Sequence, residues 1–227
     1  MSTVVISGAN RGIGLEFARQ YAADGARVVA GCRDPDGATE LASLPGDITM
    51  LPLDVADDAS VAAFAKAAGN APVDILIANA GVWGGQREQQ FGTLDFDNWA
   101  HVLSVNTLGP MRLAQGFADR VRAAPAGRMA ALTSGMSSTA ETEGSHFAYR
   151  SSKAALNNAW RNLAIAMKPS GVACTVIDPG WVKTDMGGDA ARLTPEQSVT
   201  GMRAVIADLT PETSGRFLRW DGKESAW

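Results

Sequence analysis

Only two tyrosines occur among the 227 residues of this chain, and one of them, Tyr149, stands four residues before Lys153 in the stretch AYRSSKAAL. A helix repeats every ~3.6 residues, so that spacing puts phenol and ammonium on one face, a turn apart. A free tyrosine titrates near pKa ~10 and is a weak acid-base group at neutral pH. A neighbouring ammonium favours the phenolate, so the pair is expected to carry a lowered phenol pKa. A tyrosine tuned in this way can give its proton to an oxygen that gains charge, as when a carbonyl is reduced. The same pair on an exposed face is only a helix decoration, so further groups must decide.

A second constellation lies near the N-terminus. The sequence GANRGIG places Gly8, Gly12 and Gly14 directly after the apolar run 3–9 and before an amphipathic stretch 13–23, with Asn10, Arg11 and Ile13 between them. A strand followed by a glycine turn and a helix N-terminus is a phosphate site: free N–H groups and the positive end of the helix dipole face the anion. After the second apolar run comes AGCRDP. An acidic residue at that strand end would hold an adenosine ribose and repel a 2′-phosphate. Cys32 stands there instead, followed by Arg33. With Arg11, two guanidinium groups favour a phosphate, although both also read as solvated surface charges and Asp34 tempers the argument. The expectation is NADP(H) in preference to NAD(H), with NAD(H) possible.

The elements that must position these groups alternate along the chain. Apolar runs at 3–9, 26–32, 48–55, 73–81, 127–134, 171–180 and 215–222 read as strands. Helical patterns at 13–23, 36–43, 58–68, 97–123, 147–168 and 195–208 lie between them. VDILIANAG is continuously apolar, as in a strand buried on both faces. The alternation predicts one α/β domain over residues 1–227, with a parallel sheet and right-handed crossovers. No linker, repeat or low-complexity tract interrupts it.

Bulk properties exclude several function classes. Hydrophobic content is 46%, charged content 19% and the formal net charge −4, so no basic footprint for nucleic acid or an anionic membrane exists. No apolar run is long enough to span a bilayer and no targeting segment is visible, which predicts a cytoplasmic chain. Cys32 and Cys174 read as reduced, buried thiols, although a disulfide is possible on count alone. With two histidines and no CxxC, no metal site is expected.

The glycine spacing GxxxGxG, NAG at Asn79–Gly81 and YRSSK together resemble the short-chain dehydrogenase/reductase family over the whole chain. PGWVKTDMGG and SGRFLRWDGK are similar to its C-factor-like and sniffer-like carbonyl reductase branch. The resemblance implies a Rossmann fold, a doubly wound parallel sheet of about seven strands with helices on both faces. It implies a catalytic set of Asn106, Ser134, Tyr149 and Lys153. Ser134 would hold the substrate oxygen, with Ser137 and Ser138 as lower-ranked competitors in the loop. Asn106 would hold a water linking Lys153 to solvent, and Lys153 would bond the nicotinamide ribose. Asp54 and Val55 would lie against the adenine. Asn79, Ala80 and Gly81 would lie close to the cofactor. Pro179 and Gly180 would shape the backbone beside the nicotinamide, and Val182 (backbone) and Thr184 (hydroxyl) would meet its carboxamide.

Trp83, Met136, His146, Trp181 and Met186 are candidate pocket residues, which favours an apolar or aromatic carbonyl substrate; they read equally as packing residues. The short segment 187–196 predicts an open pocket. Leu156, Trp160 and Leu163 form a stripe on the helix 147–168, one of two expected to associate in a homodimer or homotetramer, unless the stripe packs on the sheet. The implied activity is NADPH-dependent reduction of a ketone, aldehyde or quinone. The alternative is a C-factor-like signalling protein that binds NAD(P)(H) with little turnover.

Overall fold

A computed structural model describes residues 1–227. The strands are β1 (Thr3–Ser7), β2 (Arg27–Cys32), β3 (Ile48–Pro52), β4 (Ile75–Ala78), β5 (Arg128–Leu132), β6 (Ala173–Asp178) and β7 (Phe217–Arg219). They form one seven-stranded sheet in the order β3-β2-β1-β4-β5-β6-β7, parallel throughout. The helices are α1 (Gly12–Ala23), α2 (Thr39–Ala42), α3 (Asp58–Ala67), α4 (Phe96–Leu103), α5 (Gly109–Arg122), α6 (Phe147–Met167) and α7 (Pro195–Ala207). This is a single-domain, doubly wound Rossmann-type α/β fold.

The continuous apolar strands follow from burial on both faces. On β5, Met129 and Ala131 enter one core with Phe64, Phe117 and Trp160 from α3, α5 and α6. Ala130 and Leu132 enter the other, with Phe17 of α1 and Val199 and Met202 of α7. The period of two thus feeds two cores, and each fully buried large side chain adds about 1.5–3 kcal/mol. Leu156 and Trp160 lie in the first core and Leu163 packs against it, so that stripe serves the sheet rather than an association surface. Cys32 and Cys174 are buried free thiols.

Strand order reverses between β1 and β4, and the crevice at their C-terminal ends is where such sheets take ligands. Expected strands shorten at these ends because the chain leaves the ladder to build loops. The expected strand 3–9 stops at Ser7, where Gly8 turns with φ 67°, and 73–81 reduces to Ile75–Ala78. The expected single helix 97–123 is two helices joined by a π-helical turn, Ser104–Leu108. One extra residue per turn there rotates Asn106 inward, a feature common at functional sites. No helix is long and apolar enough to cross a membrane.

Candidate active site

The glycine loop closes against the end of β4. A Cβ on Gly14 would sit 2.1 Å from the Gly8 carbonyl oxygen, and one on Gly8 3.0 Å from Ala80 Cα. Asn79 Nδ2 donates to the carbonyls of Ser7 (2.8 Å) and Gly8 (3.0 Å), so the NAG motif holds the loop rather than reaching outward. The N-terminus of α1 has no side-chain cap and no acid in its first turn. By contrast α3, α4 and α7 are capped by Asp57, Asp95 and Thr194. An uncapped helix end under a cradle too tight for any Cβ fits a dinucleotide pyrophosphate. Asn10 is half-buried in the loop, and Ile13 packs toward the second core.

Several residues expected to meet the cofactor have partners within the protein. Arg11 does not face the adenosine side freely: Nη1 pairs with Asp185 at 2.6 Å across the cleft mouth. Arg33 is exposed, and Asp34 turns back to accept the Gly37 N–H at 3.1 Å. Val55 is buried in the core against Gly109, which withdraws its side chain from an adenine, and Asp54 Oδ1 accepts from Ala56 N–H at 2.9 Å. Thr184 Oγ1 accepts the Gly187 N–H at 3.1 Å and its methyl lies against Gly12, so its hydroxyl serves its own loop. Val182 is buried and bridges to Leu193. The Pro179 carbonyl accepts from Ser198 Oγ at 2.7 Å, and Gly180 turns with φ 76°.

Tyr149 and Lys153 meet at the centre of the crevice, 7% and 4% exposed. Lys153 Nζ lies 5.9 Å from the Tyr149 ring centroid and donates to the Leu132 carbonyl at 2.7 Å. Burial pushes Lys153 down to about 8. Burial likewise pushes Tyr149 up to about 12, opposed by a hydrogen bond from Ser134 and assisted by the charge of Asp178. The expected lowering of the phenol pKa is therefore reversed, because desolvation disfavours the charged forms of both groups. Tyr149 stays protonated across the neutral range, as a proton donor should.

Of the three serines, only Ser134 reaches the phenol. Ser137 Oγ donates to the Ser134 carbonyl at 2.6 Å and accepts from Asn157 Nδ2 at 2.8 Å. Ser138 Oγ donates to the Trp227 carbonyl at 3.3 Å. The side-chain amide of Asn106 is fully engaged within the protein. Its Oδ1 accepts the Val82 N–H at 2.8 Å, and both N–H groups are engaged, by the Val82 carbonyl (2.9 Å) and Ser152 Oγ (3.0 Å). It ties the chain beyond β4 to α6, within reach of Gly81, whose added Cβ would lie 3.3 Å from Asn106 Oδ1 and 3.5 Å from Lys153 Nζ.

The pocket candidates divide. Trp83 packs on Tyr149 with ring centroids 4.7 Å apart, and on His146 at 4.8 Å. Met136 N–H donates to Ser134 Oγ at 3.2 Å. Trp181 and Met186 are half exposed, and Trp181 Nε1 turns back to the Gly187 carbonyl at 2.8 Å. A cleft of about 320 Å³ between α7 and β7 touches none of these groups.

A short chain dehydrogenase family model matches residues 2–193. The chain belongs to the short-chain dehydrogenase family. Among curated members it is 43% identical over 166 residues to C-signal of Myxococcus xanthus, covering 73% of this chain and 99% of that protein. It is 36% identical, over the full length of both chains, to 1-hydroxy-2-glutathionyl-2-methyl-3-butene dehydrogenase of Rhodococcus sp. (strain AD45). An NADPH-bound carbonyl reductase from chicken fatty liver superposes with TM-score 0.92 at 35% identity, covering 100% of this chain and 99% of that one. The carbonyl reductase Sniffer of D. melanogaster superposes at 0.90 and 26% identity, covering both chains fully. The sequence-based assignment to this family and its carbonyl reductase branch agrees with these likenesses.

Two site members carried no sequence signal. Asp178 ends β6 and accepts the Gly180 N–H at 3.1 Å; burial raises its pKa. Gln89, in the polar run REQQF, is fully buried and accepts the Tyr149 N–H at 2.7 Å. A carboxylate at a strand end and an amide in a loop read as solvated until the fold buries them.

Proposed function

We propose that this short-chain dehydrogenase is an NADP(H)-dependent carbonyl reductase acting on a small ketone, aldehyde or quinone. The observation that carries the reading is the convergence of Ser134, a protonated buried Tyr149 and Lys153 beside an uncapped glycine cradle. The N–H groups of residues 12–14 would hold the pyrophosphate, Lys153 the nicotinamide ribose and the Val182 backbone the carboxamide. When bound, the reduced nicotinamide supplies a hydride to the carbonyl carbon. Ser134 donates a hydrogen bond to the carbonyl oxygen, and Tyr149 gives it a proton as its negative charge develops. The Lys153 ammonium stabilises the phenolate left behind. Trp83 and His146 offer aromatic faces to the substrate.

The phosphate preference is supported by an uncharged strand end at Cys32, the exposed Arg33 and the diversion of Asp34 onto its own turn. The chicken reductase is NADPH-bound. Oxidation of NADPH against a panel of quinones, diketones and aromatic aldehydes tests the reading, with the same panel run in NADH. Turnover with a lower KM for NADPH is expected; a lower KM for NADH overturns the phosphate preference. The likeness to C-signal favours a second reading, a regulatory protein whose NADP(H) occupancy controls a partner. Tight NADPH binding with no turnover on any carbonyl would establish it instead.

A further inference from the structure

The N-terminus of α6, which carries Tyr149 and Lys153, has no cap of its own. His146 occupies the capping position in the left-handed region, φ 54°, with no side-chain bond to the helix. The first N–H groups of a helix need acceptors from elsewhere. They find them sixty residues earlier, in the loop between β4 and α4. Gln89 Oε1 accepts the N–H of Tyr149 itself at 2.7 Å, and the Gln89 carbonyl accepts the Phe147 N–H at 3.2 Å.

The other end of the same amide faces the opposite way. Gln89 Nε2 donates to the Trp83 carbonyl at 2.7 Å and to that of Gly85. The side chain is wholly buried and both its N–H groups are engaged. The loop is seated closely on α4: Asn98 Nδ2 donates to the Gly84 carbonyl at 2.6 Å, and a Cβ on Gly84 would lie 2.5 Å from Val102 Cγ2. One buried amide therefore holds the backbone of Tyr149 and the backbone of Trp83, whose ring packs at a tilt against the phenol.

We infer that Gln89 is a positioning residue that determines substrate specificity, by locking the Trp83 wall and Tyr149 into one unit. The inference rests on Tyr149 being the proton donor. Its chemistry predicts a preference for flat aromatic carbonyls that fit beside a fixed indole over small aliphatic ones that do not use the wall.

Gln89→Met keeps the length and removes every side-chain hydrogen bond, leaving the backbone bond to Phe147. It is expected to lower kcat/KM for benzaldehyde by about tenfold and for propanal by about twofold, with the Kd for NADPH unchanged. Gln89→Glu keeps an acceptor for the Tyr149 N–H but loses both donors to the loop. It should restore kcat while the benzaldehyde-to-propanal ratio stays reduced, a split that a merely structural role would not produce. An unaltered ratio in both variants, with Tyr149→Phe inactive, overturns the role of Gln89. An active Tyr149→Phe overturns the reading beneath it. In the unaltered protein the Tyr149 amide should exchange hydrogen as slowly as the interior of α6; rapid exchange removes the clamp whatever the variants do.

Discussion

Tyr21 and Tyr149 are equally buried, at 7% exposure, and burial raises the pKa of both. What surrounds them differs. Tyr21, on α1, lies near Phe17, with its ring centroid 6.2 Å away, and under the Arg203 guanidinium of α7 at 4.4 Å. That cation is neutralised by Asp24, so the corner is an electrically closed clamp between two helices. Tyr149 has a hydroxyl beside it, a carboxylate that raises its pKa and an ammonium whose bonded partner is a carbonyl, not a carboxylate. Burial alone does not make a tyrosine reactive. A buried phenol becomes a proton donor when a hydrogen-bonding hydroxyl and a cation without a counter-ion face it across an open crevice.

Removing the groups that distinguish the two tyrosines should separate them in order of effect. Tyr149→Phe should lower turnover by about a thousandfold with NADPH binding unchanged, read by steady-state kinetics and cofactor titration. Next in size is Lys153→Met, expected to lose about a hundredfold in turnover. The same variant tests the uncompensated charge. The folded-state pKa of Lys153, about 8, lies below its ordinary 10.5, so between those values the unfolded chain holds the extra proton and stability rises with pH. Lys153→Met should therefore exceed the parent in stability by about 2 kcal/mol below pH 8, once the loss of the Leu132 bond is counted, and the gain should vanish toward pH 10.5. Denaturant titrations across that range check it. The smallest effect belongs to Tyr21→Phe: turnover within about twofold and a stability change within about 1 kcal/mol, since a phenyl ring keeps the face on which the Arg203 guanidinium lies.

Much of the fold was legible because it follows from local periodicity. Apolar runs split by amphipathic stretches require alternating strands and helices, and strands without polar alternation require helices on both faces. The site was legible where spacing dictates geometry. GxxxGxG after a strand builds the cradle, and an i, i+4 Tyr–Lys pair shares a helix face wherever that helix goes. The π turn at Asn106 was not legible, because SVNTL is compatible with an ordinary helix until Val82 and Ser152 bond the two ends of its amide. Nor was the diversion of Thr184 and Val55 into their own surroundings.

Local spacing set the alternation of strands and helices, the glycine cradle and the placing of phenol beside ammonium, since each depends on residues within a turn or two of one another. Tertiary structure alone decided which way the Tyr149 pKa moves, which serine reaches it and that Gln89 caps its helix. Those outcomes depend on water being excluded by every element packed around the crevice, and on contacts between residues far apart in the chain, neither of which local spacing encodes.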